Sequence, residues 1–64
     1  MPDMPEYRCY FRDADRKIKA ADVLICEDDT AAAVQVELLL AERPSCTTVE
    51  VWEGRNLIHR AVRT

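Results

Sequence analysis

The sequence has little of what most enzymes and membrane proteins rely on: in 64 residues it has one histidine, one serine and one glycine. No apolar run exceeds four residues, as in Leu38–Ala41, which is far too short to span a bilayer. Segment 1–6 has neither a basic start nor an apolar stretch, so we expect no signal peptide. These features predict a small protein that works away from membranes.

The composition is that of an ordered globular chain, with 48% hydrophobic and 33% charged residues. Its length allows one small domain, residues 1–64, and we expect residues 1–6 to be frayed. The formal net charge of −3 gives no overall attraction to nucleic acid or to an anionic membrane. Three cysteines are an odd number, so we interpret Cys9, Cys26 and Cys46 as reduced thiols in a cytoplasmic protein.

The first third of the sequence has the pattern of a β-hairpin. Residues 7–12 alternate between polar side chains and aromatic or apolar ones, which predicts a strand with one buried face. The polar segment 13–16 predicts a turn, and a second strand follows over 17–26. A four-residue loop would pair Phe11 with Ile18. On that register the second strand turns these side chains toward the core: Ile18, Ala20, Leu24 and Cys26.

An acidic segment followed by strong helix formers predicts one α-helix. An Asp side chain can accept a hydrogen bond from the free amides of the first turn, so Asp28 is the predicted N-cap, with Asp29 as its competitor. The helix should end near Arg43, because Pro44 disfavours helical backbone at the residue before it.

This helix has apolar residues on two sides. At 100° per residue the stripe that we assign to the core consists of Ala32, Ala33, Val36, Leu39 and Leu40. A second stripe, on the opposite side, consists of Val34, Leu38 and Ala41.

The last third of the sequence predicts a second hairpin, with strands at 47–52 and 57–62. The only glycine, Gly54, lies in the loop between them. An even loop pairs Trp52 with Leu57, Val51 with Ile58 and Glu50 with His59. A three-residue loop would shift this register by one and turn Leu57, His59 and Ala61 inward. We expect the even loop, because it aligns Val49, Val51 and Ile58 on one side.

The predicted fold class is therefore α+β, in the order β-β-α-β-β. One helix packs on one face of a four-stranded, mainly antiparallel sheet, which makes a two-layer domain.

The chain resembles a group of short, uncharacterised bacterial β-β-α-β-β proteins. The resemblance rests on the aromatic first strand, on the acidic helix start and on a Glu-x-Trp-x-Gly hairpin before a Leu-aliphatic strand. The matching residues are Tyr7, Tyr10 and Phe11, then Asp28 and Asp29, then Val49, Glu50, Val51 and Trp52 with Gly54 and Leu57. It implies a single-domain cytoplasmic protein and gives no catalytic residue to transfer.

Catalytic and metal chemistry find little support in the sequence. Across the even hairpin Glu50 would face His59, which is typical of an exposed polar pair rather than of a catalytic dyad. Cys26 and Cys46 flank the helix, but the cysteine spacings of 17 and 20 residues are unlike those of structural zinc sites. We therefore expect a non-enzymatic protein without a cofactor, a metal or any catalytic residue.

Nucleic acid could bind to the outer face of the sheet. Tyr10 and Trp52 could stack on bases, flanked by Arg8, Arg12 and Lys19. The net charge, the absence of an RNA-recognition signature and Glu50 on the same face argue against this function.

The sequence has more apolar residues than one helix can cover on one face of the sheet. Contiguous exposed apolar patches usually mark contact sites. We therefore predict a homodimeric protein-interaction module that can also have an unidentified protein partner. The predicted interface is the outer sheet face, with Tyr10, Val23, Ile25, Trp52 and Leu57. The alternative interface is the second helix stripe, with Val34, Leu38 and Ala41. The alternative function is nucleic-acid or small-ligand binding through the aromatic and arginine residues of the sheet.

Overall fold

The computed structural model describes residues 4–63. Its elements follow the predicted order β-β-α-β-β, which confirms the α+β fold class. They are β1 (Glu6–Arg12), β2 (Ile18–Ile25), α1 (Asp29–Ala41), β3 (Thr48–Glu53) and β4 (Asn56–Val62).

The four strands form one antiparallel sheet in the order β2-β1-β3-β4. The central strands are β1 and β3, and α1 packs on β3, β4 and β1. Strand β2 lies at the edge of the sheet, and none of its residues is fully buried. The sheet face away from α1 has no second layer within residues 4–63. We call it the open sheet face.

The core lies between α1 and the inner side of the sheet. The helix contributes Ala32, Val36 and Leu40, which confirms the predicted core stripe, while Ala33 and Leu39 are half-buried beside it. The other core residues are Tyr7, Cys9, Phe11, Cys46, Val49, Val51 and Ala61.

The register of the first hairpin differs from the prediction by two residues. Phe11 pairs with Ala20 rather than with Ile18, and a bulge lies between Phe11 and Arg12. An even shift keeps each side chain on the same face of the strand, so Ala20 and Leu24 still turn toward the core. The inward placement of Ile18 is wrong: it lies beyond the bulge, opposite Arg12, and is 52% exposed.

The cause of this shift is a longer turn held by Asp13. Its carboxylate accepts hydrogen bonds from the backbone N–H groups of Lys17 (3.0 Å) and Asp15 (2.9 Å). The bond from Lys17 is the main reason that the pKa of Asp13 is lowered. Arg16 takes a left-handed φ of 66° inside the turn. The loop therefore has five residues rather than four, and the bulge adds one more at Lys19.

Helix α1 begins as predicted. Asp28 is the N-cap, and its side chain accepts a 2.8 Å hydrogen bond from the backbone N–H of Ala31. The helix ends at Ala41, two residues before the predicted end at Arg43. The chain turns away there because the N–H of Arg43 bonds to the Leu40 carbonyl and the Arg43 carbonyl accepts from Cys46.

The second hairpin combines both registers that the sequence allowed. Trp52 pairs with Leu57 around a two-residue turn in which Gly54 has a φ of 59°, as the even loop requires. A bulge between Val51 and Trp52, with Ile58 as the extra residue on β4, shifts the ladder, so Val51 pairs with His59 and Glu50 with Arg60. The predicted pairs of Glu50 with His59 and of Val51 with Ile58 are wrong. Ile58 lies at the bulge and is half-buried, whereas Ala61 pairs with Val49 and is buried.

The described N-terminal residues are held by strand pairing. Glu6 pairs with Ile25 in β1, and the carbonyl of Pro5 accepts a hydrogen bond from the N–H of Cys26. The part of the predicted frayed segment that falls on residues 1–3 lies outside the described residues.

Candidate functional site

The open sheet face is built from side chains that line up across the four strands. Residues that pair across an antiparallel ladder point to the same side, so each row can be read from the register. One central row consists of Val23, Arg8, Trp52 and Leu57. The next row consists of Ala21, Tyr10, Glu50 and Arg60.

All five residues of the predicted interface lie on this face, but the most exposed ones lie at its edges. Val23 is 56% exposed and Ile25 is 65% exposed, both on edge strand β2, and Leu57 lies on the opposite edge strand β4. Tyr10 and Trp52, on the central strands, are half-buried. Because Arg8 separates Val23 from Trp52 in their row, the apolar surface of this face is divided.

The open sheet face is rich in arginine. The Nε atom of Arg12 lies 3.0 Å from Oε1 of Glu50, which neutralises that carboxylate in place. Within residues 4–63, Arg8, Arg55 and Arg60 have no ion-pair partner. The face therefore has an excess of positive charge, although the whole chain has a formal net charge of −3.

The compensating negative charge lies on the helix side of the domain. Five acidic residues lie in α1 or immediately beside its ends: Glu27, Asp28, Asp29, Glu37 and Glu42. Sequence reasoning placed Arg8, Arg12 and Lys19 on the open sheet face. It did not place Arg60 there, because the predicted register of the second hairpin put His59 opposite Glu50.

The second helix stripe is exposed to solvent. Val34 is 55% exposed and Leu38 is 57% exposed, and Ala41 continues the same stripe. Ala31 is also exposed and extends it toward the N-terminus of α1. We call Ala31, Val34, Leu38 and Ala41 the outer helix stripe; their spacings of three, four and three residues are those of a helix-pairing seam.

The structure does not bring His59 and Glu50 together. His59 pairs with Val51 on the helix side of the sheet, and Glu50 lies on the open sheet face. The nearest carboxylate to Nε2 of His59 is that of Glu37, at 3.9 Å, and this nitrogen is buried without a hydrogen bond in the described part of the chain.

The three cysteines are free thiols in core positions. Cys9 and Cys46 are buried, and Cys26 is half-buried. Burial raises the pKa of Cys9 to about 11, and the nearby Asp22 carboxylate adds to this effect. A thiol with a raised pKa is a poor nucleophile at neutral pH. Across residues 4–63, no three His, Cys, Asp or Glu side chains cluster closely enough to bind a metal ion.

Comparisons with known proteins do not assign the chain to a family. No protein-family model matches it, and no curated protein or solved structure is significantly similar to it. The resemblance to short bacterial β-β-α-β-β proteins therefore stays a prediction. Among the helices that the structure describes, none has the length and apolar character needed to cross a bilayer.

Proposed function

We propose that this protein is a small, non-enzymatic interaction module that forms a homodimer through the outer helix stripe. The observation that carries this proposal is that α1 is apolar on both sides. One side packs on the sheet through Ala32, Val36 and Leu40, and the other side leaves Val34 and Leu38 more than half exposed. A helix that is apolar all round is normally buried all round.

The order of residues in the stripe suits a second copy. In an antiparallel pair with its two-fold axis at the middle of the stripe, Val34 packs against Leu38 of the second copy, and Ala31 packs against its Ala41. The large side chains then fill the centre, and the small ones let the helix ends approach. Such a contact is isologous, because the same patch serves both copies.

The charges at the helix ends favour the same arrangement. The N-terminal end has Glu27, Asp28 and Asp29, whereas the C-terminal end has Arg63 beside Glu42, and Arg43 there is paired with Asp22. Antiparallel pairing places the acidic N-terminal end of one copy beside Arg63 of the other. It also opposes the two helix dipoles, which is favourable.

The open sheet face is less suited to pairing with itself. An isologous contact there would bring Arg8 and Arg60 toward the same side chains of the second copy. Glu50, which could have balanced them, is already paired with Arg12 at 3.0 Å. Like charges brought together oppose association. The geometry therefore favours the alternative interface of Val34, Leu38 and Ala41 over the one with Tyr10 and Trp52.

A helix of 13 residues is about 20 Å long, so the interface is small. Interfaces of this class form weak or transient complexes, and we expect dimerisation to depend on concentration. We also propose a cytoplasmic location, which the three free thiols support, because reducing compartments keep thiols reduced.

The test is light scattering on concentrated protein with two matched variants. Leu38→Glu places a charge in the outer helix stripe. Val23→Glu places the same charge on the open sheet face, at a position of nearly equal exposure, 56% against 57%. We expect Leu38→Glu to be monomeric and Val23→Glu to associate like the parent.

The opposite result, with Val23→Glu monomeric and Leu38→Glu dimeric, would place the interface on the sheet. Circular dichroism of both variants shows whether each keeps the parent fold, so that a loss of folding is not mistaken for dissociation.

A further inference from the structure

We propose that the open sheet face binds single-stranded nucleic acid, with bases on Tyr10 and Trp52 and phosphates on the surrounding arginines. This proposal goes beyond dimerisation and does not depend on it, because the face and the outer helix stripe lie on opposite sides of the domain.

The two aromatic side chains form a stacking surface at the centre of the sheet. Trp52 pairs with Arg8, and Tyr10 pairs with Glu50, so the two aromatic residues are diagonal neighbours on adjacent strands. Diagonal neighbours in a sheet lie within reach of each other's aromatic rings. Both side chains are half-buried, so their neighbours restrain them while part of each ring remains accessible. Base stacking on such rings is tolerant of sequence.

Basic residues lie on both sides of this aromatic pair. On one side, an open depression is lined by Glu6, Arg8, Tyr10, Trp52, Gly54 and Arg55. On the other side, a second depression has Arg12, Arg16 and Arg60 in its lining, together with two carboxylates, Asp13 and Glu50, which are paired with Lys19 and Arg12. Along β1 the alternation of Arg8, Tyr10 and Arg12 covers about 13 Å at the usual rise per residue. Because Arg12 is paired with Glu50, the cations that a strand laid across the face would meet without an ion-pair partner are Arg8, in the row of Trp52, and Arg60, in the row of Tyr10.

The carboxylates near the aromatic pair do not cancel the charge of the unpaired arginines. Glu50 is held by Arg12, and Glu6 lies at the end of β1, where it faces Ile25. The acidic helix side would be repelled by a phosphate backbone and would point away from it. The separation of charge between the two sides, rather than the net charge of −3, would orient the protein with its sheet toward the nucleic acid.

The central aromatic pair favours nucleic acid over an acidic protein as the ligand. An acidic segment could bind the arginines alone and would leave the ring faces of Tyr10 and Trp52 unused. Aromatic platforms between cations are the usual arrangement of proteins that bind single strands.

The experiment measures fluorescence anisotropy of a labelled oligothymidylate of about 15 nucleotides, within the range of known site sizes. Titrations run from about 50 to about 200 mM salt. The variants are Trp52→Leu, Tyr10→Leu, Arg8→Gln and Arg60→Gln. The matched control is Lys17→Gln, which removes one positive charge from an exposed residue that lines neither depression. Circular dichroism checks that each variant is folded.

We expect the parent to bind and its affinity to fall steeply with salt. Arg8→Gln and Arg60→Gln should each reduce the slope of log K against log salt by about 0.7, the value for one phosphate contact on a single strand. Trp52→Leu and Tyr10→Leu should each weaken binding by about fivefold or more and leave the slope unchanged. Lys17→Gln should bind like the parent.

Three results would overturn the proposal. One is no binding of the oligonucleotide at about 50 mM salt. Another is equal affinity for duplex DNA, whose paired bases cannot stack on the rings. The last is equal affinity for polyglutamate together with unchanged binding by the two aromatic variants, which would make this face a site for acidic proteins.

Discussion

The phenolic hydroxyl of Tyr7 donates a 2.8 Å hydrogen bond to Oδ1 of Asp29, which joins central strand β1 to the first turn of α1. The two adjacent carboxylates at the start of α1 therefore have different roles. Asp28 caps the helix by accepting from the N–H of Ala31, while Asp29 fixes the helix against the sheet. The bond connects residues 22 positions apart, so it depends on the tertiary fold.

Replacement of Tyr7 by Phe should change how the protein responds to alkali. Burial raises the pKa of Tyr7 to about 12, and its bond to Asp29 adds to the shift. Because the pKa is raised in the folded state, this group stabilises the fold fully below pH 10 and loses that contribution as the pH rises toward 12. Urea unfolding at a series of pH values should show a decline between pH 10 and 12 in the parent that is smaller in Tyr7→Phe.

Cys9 contributes a separate decline at lower pH, between its ordinary pKa of 9.0 and the raised value of about 11. The decline in stability caused by Cys9 should persist in Tyr7→Phe. Tyr10→Phe, on the open sheet face, is the control and should follow the parent. A Tyr7→Phe variant with the full alkaline decline would contradict this assignment.

Removal of the helix cap should destabilise the protein. Asp28→Ala leaves the N–H of Ala31 without its partner, so the free energy of unfolding should fall by about 0.5–2 kcal/mol. Chemical denaturation with detection of the helical circular dichroism signal measures this. Asp15→Ala, an exposed turn position, should lie within about 0.5 kcal/mol of the parent. Equal losses in the two variants would show that the cap is not the cause.

Leu38 and Leu40 lie on opposite sides of α1 and should differ strongly in their contribution to stability. Leu40 is 5% exposed, so Leu40→Ala leaves a cavity and should cost about 2–5 kcal/mol of unfolding free energy. Leu38→Ala, measured in dilute protein, should cost much less, because Leu38 is 57% exposed. Thermal and urea unfolding of the pair measures the difference. Similar losses would mean that both helix sides are buried within one chain.

The thiols should react in two classes. Cys26 is half-buried and should react with a disulfide reagent before Cys9 and Cys46, which are buried. The high pKa of Cys9 slows it further at neutral pH. The colour released by the reagent should therefore correspond to one fast-reacting thiol in the native protein and to three thiols in denaturant. A Cys26→Ala variant should lose the fast phase, and its persistence would contradict the assignment.

Local patterns of the sequence were sufficient to predict the elements of the fold. Alternation in β1, the Asp28 cap and Gly54 in the second turn all act over a few residues, so the sequence displays them directly. Hairpin registers were predicted less well, because each depends on one extra residue at a bulge. The longer first turn follows from the contacts of Asp13, which sequence periodicity does not display.

Long-range polar contacts were also hidden in the sequence. Asp22 points to the inner side of edge strand β2, where a carboxylate would be isolated without a partner. Arg43 provides that partner at 2.7 Å, and its guanidinium also lies 4.5 Å from the centre of the Phe11 ring. The two charges are 21 positions apart, so only the folded chain reveals the pair. The position of Arg60 on the open sheet face was also hidden, because it depends on the bulge of the second hairpin.

Sedimentation equilibrium of the parent chain over a concentration range from about 10 μM to about 1 mM tests the central claim, pairing through the outer helix stripe, most directly. We expect the mass to rise from 7.4 kDa toward twice that value as the concentration increases, and to stay at 7.4 kDa throughout for Leu38→Glu. A parent mass of 7.4 kDa at every concentration would contradict it.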